Sequence, residues 1–578
     1  MLKSHLGLVC CASLALATAH PCRAEIIPAG RRMLWEPGVT VGVPGGIPQR
    51  TTIFVNVRTT ENPAYRCAGD GMADDSARLE AALKACPPGQ VVYVPAGTYR
   101  LDNRVYVYQS HNFTLRGDGQ GRTAFLCKGG RGQLLFGTHQ WPHPTGEALP
   151  VTGGATVGST ILKVTETRTV NVGNLATLWM DTPTWMHTLN GTDAGIVLKM
   201  TLKVVAKTTD TVTVTPPIPF DVSRMNPKII PWGNSGGGRV LNGVGLEGFT
   251  IDATEGSGFP IWIQQAWGCW VKDVEILGSR SRQIFLTTVG CSEIRECYTH
   301  DVQGGGPNHE GVDLQSDCCW NLVENNTCVN GGFPAIILGD AQGGCVGNVI
   351  AYNYIDRVNT GSSVAGAGLS DSHGAGGNTL NLYEGNVSQG FASDGYFGGS
   401  SHGTLFRNFI HNRFLPQDGK NNQGPVAVML DHYAVYYNIV GNVLGSPEMK
   451  SEYESDERAY RVRIYRLGFP NMGNCAYGGG TEGLTIGPTT PPDYRSSPNR
   501  LADAQALDLN VKATLLRHGN FDYATNSVIW DPAIAERVLP PSLYLKQKPA
   551  WWDDSRWPAV GPDLDPMVGS IPAQARLR

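Results

Sequence analysis

The stretch "VENNTCV", residues 323–329, returns along the chain as "AYNYID" (351–356), "YEGNVS" (383–388), "FRNFIH" (406–411) and "VGNVLG" (440–445). Two earlier units, "KDVEIL" (272–277) and "RECYTH" (295–300), keep the pattern with Val274 and Cys297 in the Asn position. From Val274 through Cys297, Asn326, Asn353, Asn386 and Asn408 to Asn442 the steps are 23, 29, 27, 33, 22 and 34 residues. Repeats of this length, built of short β-type runs with Gly and Asn turns, predict a β-solenoid. Parallel stacking sets equivalent residues about 4.8 Å apart, so the Asn side chains can bond to one another and to the turn backbone. Asn also tolerates the left-handed conformation of a tight bend. "GCW", "GCS", "CCW" and "GCV" predict a second inward stack at Cys269, Cys291, Cys319 and Cys345.

Composition agrees with a large, turn-rich β protein. Of 578 residues 72 are Gly, 41% are hydrophobic and 17% charged, and the net charge of -4 excludes a basic field for nucleic acid. The N-terminal "MLKSHLGLVCCASLALATA" reads as a secretory signal, cut after Ala19 or Ala24, so residues 1–24 are expected to leave. The expected location is secreted or periplasmic. No run of about 18 uninterrupted apolar residues predicts a membrane span, and a monomer is expected. In an oxidising compartment some cysteine pairing is expected, first between Cys67 and Cys86. No cysteine or histidine cluster has zinc spacing.

Residues 25–150 are predicted to hold an N-terminal cap and the first coils. In "DDSARLEAALKACPPG" Asp74 or Asp75 can cap a helix whose Leu79, Ala82, Leu83 and Cys86 share one face. Residues 151–235, with "VGSTILKV", "LATLWM" and "TDTVTVTPPIP", predict a β-rich insertion. The central coils are assigned to 236–450. Residues 451–578 are assigned to C-terminal coils and a capping tail, which either closes the open end or packs back along the side.

"GDGMADDSARLEAALKA", "VVYVPAGTYRL" and "FTLRGDGQGRTAF" resemble the N-terminal signature of the pectate-lyase-like superfamily, which includes rhamnogalacturonases and epimerase-like proteins. The resemblance implies an all-β, right-handed parallel β-helix that acts on a polysaccharide. Only "SHG" at Ser401–Gly403 echoes a motif of the polygalacturonan hydrolases, and the Arg motif of the calcium-dependent lyases has no match. No catalytic residue is carried across.

Candidate chemistry is therefore read from the coils. Between Cys297 and Val435 there are 12 Asp plus Glu, 4 Lys plus Arg and 6 of the 13 His. A glycosidase needs one protonated and one ionised carboxyl group; a lyase needs a base and a cation or metal at the uronate. The scarcity of cations in this window favours the glycosidase, which requires no cofactor; calcium enters only for a lyase. A glycan-binding β-helix without activity is the third reading. Strand alternation turns His309 and Asp313 outward in "NHEGVDLQ", Asp394 and Tyr396 in "SDGYFG", and Asp431 in "GPVAVMLDHY". Asp394 and Asp431 are the expected carboxylate pair, with Asp313 and His309 as further catalytic candidates. Tyr396, His402, His432, Tyr433, Asp371 and His373 are the expected substrate contacts, and no metal ligands are assigned. Trp320 is a further aromatic candidate for a sugar face. Glu384 and Arg407 are expected to pair across neighbouring coils.

Overall fold

The repeat works because each coil breaks into three short strands whose turns face one another from coil to coil. In the computed structural model, which describes residues 26–108, 110–128, 133–137, 146–181, 198–232, 240–256, 258–304, 309–332, 334–339, 344–358, 368–372, 377–394, 399–413, 425–455, 461–469 and 507–577, one such coil holds Leu322–Glu324, Thr327–Val329 and Ile336–Leu338. The next holds Val349–Ala351, Tyr354–Asp356 and Leu369–Ser372. Each strand pairs in parallel with its equivalent one coil later. Three faces result, called first, second and third in chain order. Further along the stack, the third face continues through Phe391–Ser393, Val426–Leu430 and Arg463–Leu467. The fold is all-β, with the helices Ser76–Ala85 and Leu509–Thr514 as minor elements.

Apolar residues of all three faces meet inside, among them Val323, Cys328, Ile336, Ile350, Ile355 and Leu369. The turn between the first and second faces holds the amide ladder. Asn326, Asn353, Asn386, Asn408, Asn442 and Asn520 each accept from the residue one coil earlier, and the run begins at Cys297. Left-handed backbone falls on the residue before each ladder Asn, at Asn325, Tyr352, Gly385, Arg407 and Gly441, rather than on the ladder Asn itself. A second ladder, Asn321, Asn348 and Asn381, occupies the turn between the third and first faces.

The cysteine stack divides. Cys269, Cys318 and Cys345 join the coil core, whereas Cys291 and Cys319 face the insertion and pack with its apolar residues. The described cysteines are all free and buried, so the expected Cys67–Cys86 disulfide is absent. The Cys67 Sγ donates instead to the Tyr65 carbonyl and Cys86 Sγ to that of Pro87, and burial pushes the two thiols up to about 12 and about 11.

The capping helix packs Leu79, Ala82 and Leu83 on the first coils. Asp74 accepts from the Ser76 amide at 3.0 Å, while Asp75, at the cap position, turns back to the amides of Ala68 and Gly69. The insertion is a closed antiparallel barrel of six strands between Leu149 and Pro231. The tail packs back along the first face. Tyr544 donates to Glu324, Arg407 grips Asp563 with two bonds of 2.8 Å, and Arg576 donates to the Asn325 carbonyl. Glu384 and Arg407 therefore do not bond each other. Glu384 accepts from Tyr352 and from the Leu543 amide, and burial pushes its carboxyl up to about 7. Among the described residues no helix is long and apolar enough to cross a membrane.

Asn353→Ala should lower stability by about 2–5 kcal/mol, because it strips acceptors from the buried Asn326 amides and a donor from the Val323 carbonyl. Urea unfolding reads this directly. A loss within about 0.5 kcal/mol, the range of an ordinary surface change, would contradict the ladder's role.

Candidate functional site on the third face

Outward residues of the third face are unusually polar and yet buried. Strand pairing aligns Gln264, Thr287 and Gln315 in one row, and Trp262, Phe285, Asp313 and Ile337 in the next. Gln264, Thr287 and Asp313 have no exposed surface. Buried charge demands partners, and those of Asp313 include a guanidinium and a side-chain amide. Arg282 Nε meets Asp313 Oδ2, and Gln315 Nε2 donates to the same oxygen at 2.8 Å. Glu310 shares the guanidinium at 3.5 Å. Arg282 in turn lies over Phe285, 4.9 Å from the ring centre, and over Phe259 at 5.9 Å. Trp262 stacks on Phe285 at 5.5 Å and donates to Thr287. This end of the face therefore joins an aromatic platform to one cation and two carboxylates. His309 begins the same coil, half-buried, with its carbonyl accepting from the Gly332 amide.

The second cluster lies further along the stack. Phe391, Ala392 and Ser393 pair with Val428, Met429 and Leu430, and the Asp431 amide donates to the Ser393 carbonyl at 2.9 Å. One residue on, the same register sets Asp394 beside Asp431. Ser393 turns inward to Ser400, and Leu430 to the core, so alternation aims both aspartates outward. Asp394 is 3% exposed and Asp431 fully buried. Arg466, one coil later, donates to Asp431 Oδ2 at 2.9 Å, a contact that favours the anionic carboxylate. Arg466 also lies 5.1 Å from the Phe469 ring centre. Asp313 stands three rungs from Asp394, about 14 Å along the stack, so it belongs to the first cluster and not to the pair.

The remaining candidates scatter. His432 is buried beside the Asp431 backbone and meets the Tyr433 ring edge-on at 4.4 Å. Tyr433 takes a left-handed conformation and its amide donates to Asp508. His402 sits in the turn to the first face, stacked on Tyr436 at 5.0 Å; burial, then Arg31, push its imidazole down to about 4, so it is neutral near pH 7. Asp371 corrects the expected substrate contact. Its side chain points into the coil, accepting from Asn381, Tyr383 and Tyr437, on the side of the sheet away from the outward row. Trp320 is likewise buried, donating to the Thr201 carbonyl of the barrel. Tyr396 and His373 lie outside the described residues.

Sequence reasoning missed Arg282, Arg466, Trp262 and Phe285. The two arginines lie 31 and 35 residues from the aspartates they hold, a one-coil step in each direction. Counting cations only from Cys297 to Val435 excluded both. The face is not poor in cations, and that part of the case for a glycosidase falls. Among the described residues no cluster of three or more His, Cys, Asp or Glu is placed to hold a metal ion.

The fold and this face define a β protein of stacked parallel coils with charged and aromatic residues along one side. Residues 54–148 match the family described as rhamnogalacturonase A/epimerase, pectate lyase-like. The match falls on the capping helix and first coils, and for that part of the chain it supports a relation to the pectate-lyase-like superfamily. No curated protein matches the chain. Among solved structures, the tailspike gp61 of Pseudomonas phage phi297 is similar at 13% identity over 71% of this chain and 70% of its own, with a TM-score of 0.44. The A-module of the Azotobacter vinelandii mannuronan C-5 epimerase AlgE4 is 12% identical over 70% of this chain and 96% of its own, TM-score 0.34. An alginate lyase from Paenibacillus is 10% identical over 67% and 95%, TM-score 0.34. At values this low none of them lends this protein a substrate or a catalytic residue.

Interior Asp371 gives a pH signature distinct from catalysis. Burial raises its carboxyl from an ordinary 3.8 to about 7 against the hydrogen bonds of Tyr437, Tyr383 and Asn381. The folded state thus holds this proton more tightly than the unfolded one. Its contribution is full below about pH 4, declines as pH rises and is lost above about 7. Asp371→Asn should flatten that part of the stability profile between pH 4 and 7.5, measured by denaturant midpoint; an unchanged slope would contradict the assignment.

Proposed function

We propose that the chain is an exported enzyme that cleaves a polysaccharide on the third face of a right-handed coil stack, by hydrolysis through Asp394 and Asp431. The observation that carries this reading is the register at Phe391–Ser393 and Val426–Leu430, which brings two aspartates to adjacent rungs. Backbone positions about 4.8 Å apart suit the ~5 to 5.5 Å carboxyl separation of retaining glycosidases. Asp431, paired with Arg466, attacks the anomeric carbon, while Asp394 gives a proton to the departing oxygen. Water, activated by Asp394, then releases the sugar with its original configuration. Burial supports the chemistry, since charge stabilisation is stronger where water is scarce. Half-buried Trp262, stacked on Phe285, offers a ring face for a sugar about five rungs from Asp394.

A second reading is β-elimination on a uronate. The presence of Arg282 and Arg466 on the same face favours it, because a guanidinium can neutralise the uronate carboxylate and make the neighbouring proton more acidic. A calcium requirement belongs to this reading alone.

Asp394→Asn and Asp431→Asn should each lower turnover about 10²–10⁴-fold with the fold intact by circular dichroism. Proton NMR of the first product should show retained anomeric configuration. Full activity in either variant would sink the pair. An unsaturated, ultraviolet-absorbing product would replace hydrolysis with elimination, and no cleavage across neutral and uronate-containing polysaccharides would leave a binding protein.

A further inference from the structure

The second face carries a groove that plays no part in the proposed reaction. It encloses about 450 Å³ between the coil surface and residues 568–569 of the tail, within the range of small-ligand sites. Its floor follows the coil register. Tyr354 pairs with Val387 and Val387 with Phe409, so two half-buried aromatic rings stand in one outward row, about 10 Å apart along the stack. Two arginines flank this row. The Arg357 and Arg413 side chains are 46% and 49% exposed, and each makes one long, single-contact ion pair, Arg357 with the groove-lining Asp356 at 3.9 Å and Arg413 with Glu448 at 4.0 Å.

The arginine-bearing backbone is fixed from the rung between the aromatics. Gln389 Oε1 accepts from the Val358 amide, next to Arg357, and Gln389 Nε2 donates to the Arg413 carbonyl at 3.0 Å. His411 adds a third tie. Its Nδ1 accepts from the Arg413 amide at 3.2 Å, which assigns the ring proton to Nε2 as a donor. Burial, then Arg413, push this imidazole down to about 3, so it adds no charge near pH 7. The groove thus combines half-exposed guanidiniums on a fixed backbone with flat apolar rings and neutral polar groups. Guanidinium forks match carboxylates bidentately, and the apolar CH faces of sugar rings stack on aromatics. A bare inorganic anion would leave the rings unused, and a neutral sugar would leave both guanidiniums without a bidentate partner.

We infer that this groove is a second glycan site, taking a short uronate-bearing oligosaccharide with its carboxylates on Arg357 and Arg413 and its ring faces on Tyr354 and Phe409. It shares with the proposed reaction only the premise that the ligand is a glycan. Such a site would hold an acidic chain on a different face from the one that cleaves it.

The test is calorimetric titration of the full chain carrying Asp394→Asn and Asp431→Asn, with trigalacturonate and with neutral cellotriose as probes. Adding Arg357→Ala with Arg413→Ala should raise the Kd for trigalacturonate at least tenfold and leave any cellotriose binding unchanged, and Phe409→Ala alone should also raise the Kd for trigalacturonate at least tenfold. Arg413→Gln, which keeps most of the side chain, should reproduce part of the loss in a folded chain. Equal Kd values with and without the groove substitutions would overturn the inference. So would equal losses for both probes from the arginine substitutions, or full displacement of trigalacturonate by equimolar inorganic phosphate. The same groove substitutions placed in the otherwise unaltered chain should leave turnover of short substrates unchanged, so failure of the groove and failure of the cleavage reading are read separately.

Discussion

The hydrogen-bonded column of buried asparagine amides sets the height and phase of the coils from Cys297 to Asn520. Asn353, for example, accepts from the Asn326 amide and donates to the Val323 carbonyl on the coil before it, and donates to Asn386 on the coil after it, so one side chain ties three successive rungs together. A buried amide left unpaired costs about 1–3 kcal/mol, more than a made hydrogen bond returns. A coil that slipped by one residue would lose both the ladder and its inward apolar side chains. Register is therefore fixed at one turn and transmitted around the three faces.

That transmission makes a surface of short strands able to present chemistry. Once the ladder fixes the coils, residues far apart in sequence align by rung, as with Asp394 and Asp431 or Arg282 and Asp313. The accessory pieces divide the outside among them. The tail covers the first face through Arg407, Glu324 and Asn325. The N-terminal segment crosses the stack, where Trp35 donates to the Leu380 carbonyl and the Val43 amide to Glu293. The barrel packs on Trp320, Cys291 and Cys319. On the third face buried charges pair from coil to coil, Arg282 with Asp313 and Arg466 with Asp431.

Much of the scaffold was legible because it repeats. The Asn positions, the helix over the first coils and the Thr/Val-rich insertion are periodic or locally patterned signals, and the match over residues 54–148 agrees with the family resemblance. Side-chain direction was less legible. Asp371 lies in a Gly-rich stretch whose polarity suggests a loop, yet a register shift at Ser370/Ser372 accompanies its turn inward to two tyrosines. Pairing between coils was hardest to read, since coil length varies and partners fall outside any fixed window. Arg282 and Arg466 were missed for that reason, and Glu384 and Arg407, though on neighbouring coils, are claimed by the tail instead. Cys67 and Cys86 flank the helix in sequence, but each thiol finds a local carbonyl.

The central claim is that coil register places Asp394 beside Asp431. A chain carrying Asp394→Cys and Asp431→Cys tests it directly, because a disulfide needs Cα atoms within about 4.4–6.8 Å. Mild oxidation should link the two introduced thiols within one chain, identified by mass spectrometry of the joined peptides. The pair Asp313→Cys and Asp431→Cys, four rungs and about 19 Å apart, should remain unlinked. Failure of the first pair to join, or equal joining of the second, would contradict the register on which the proposed site depends.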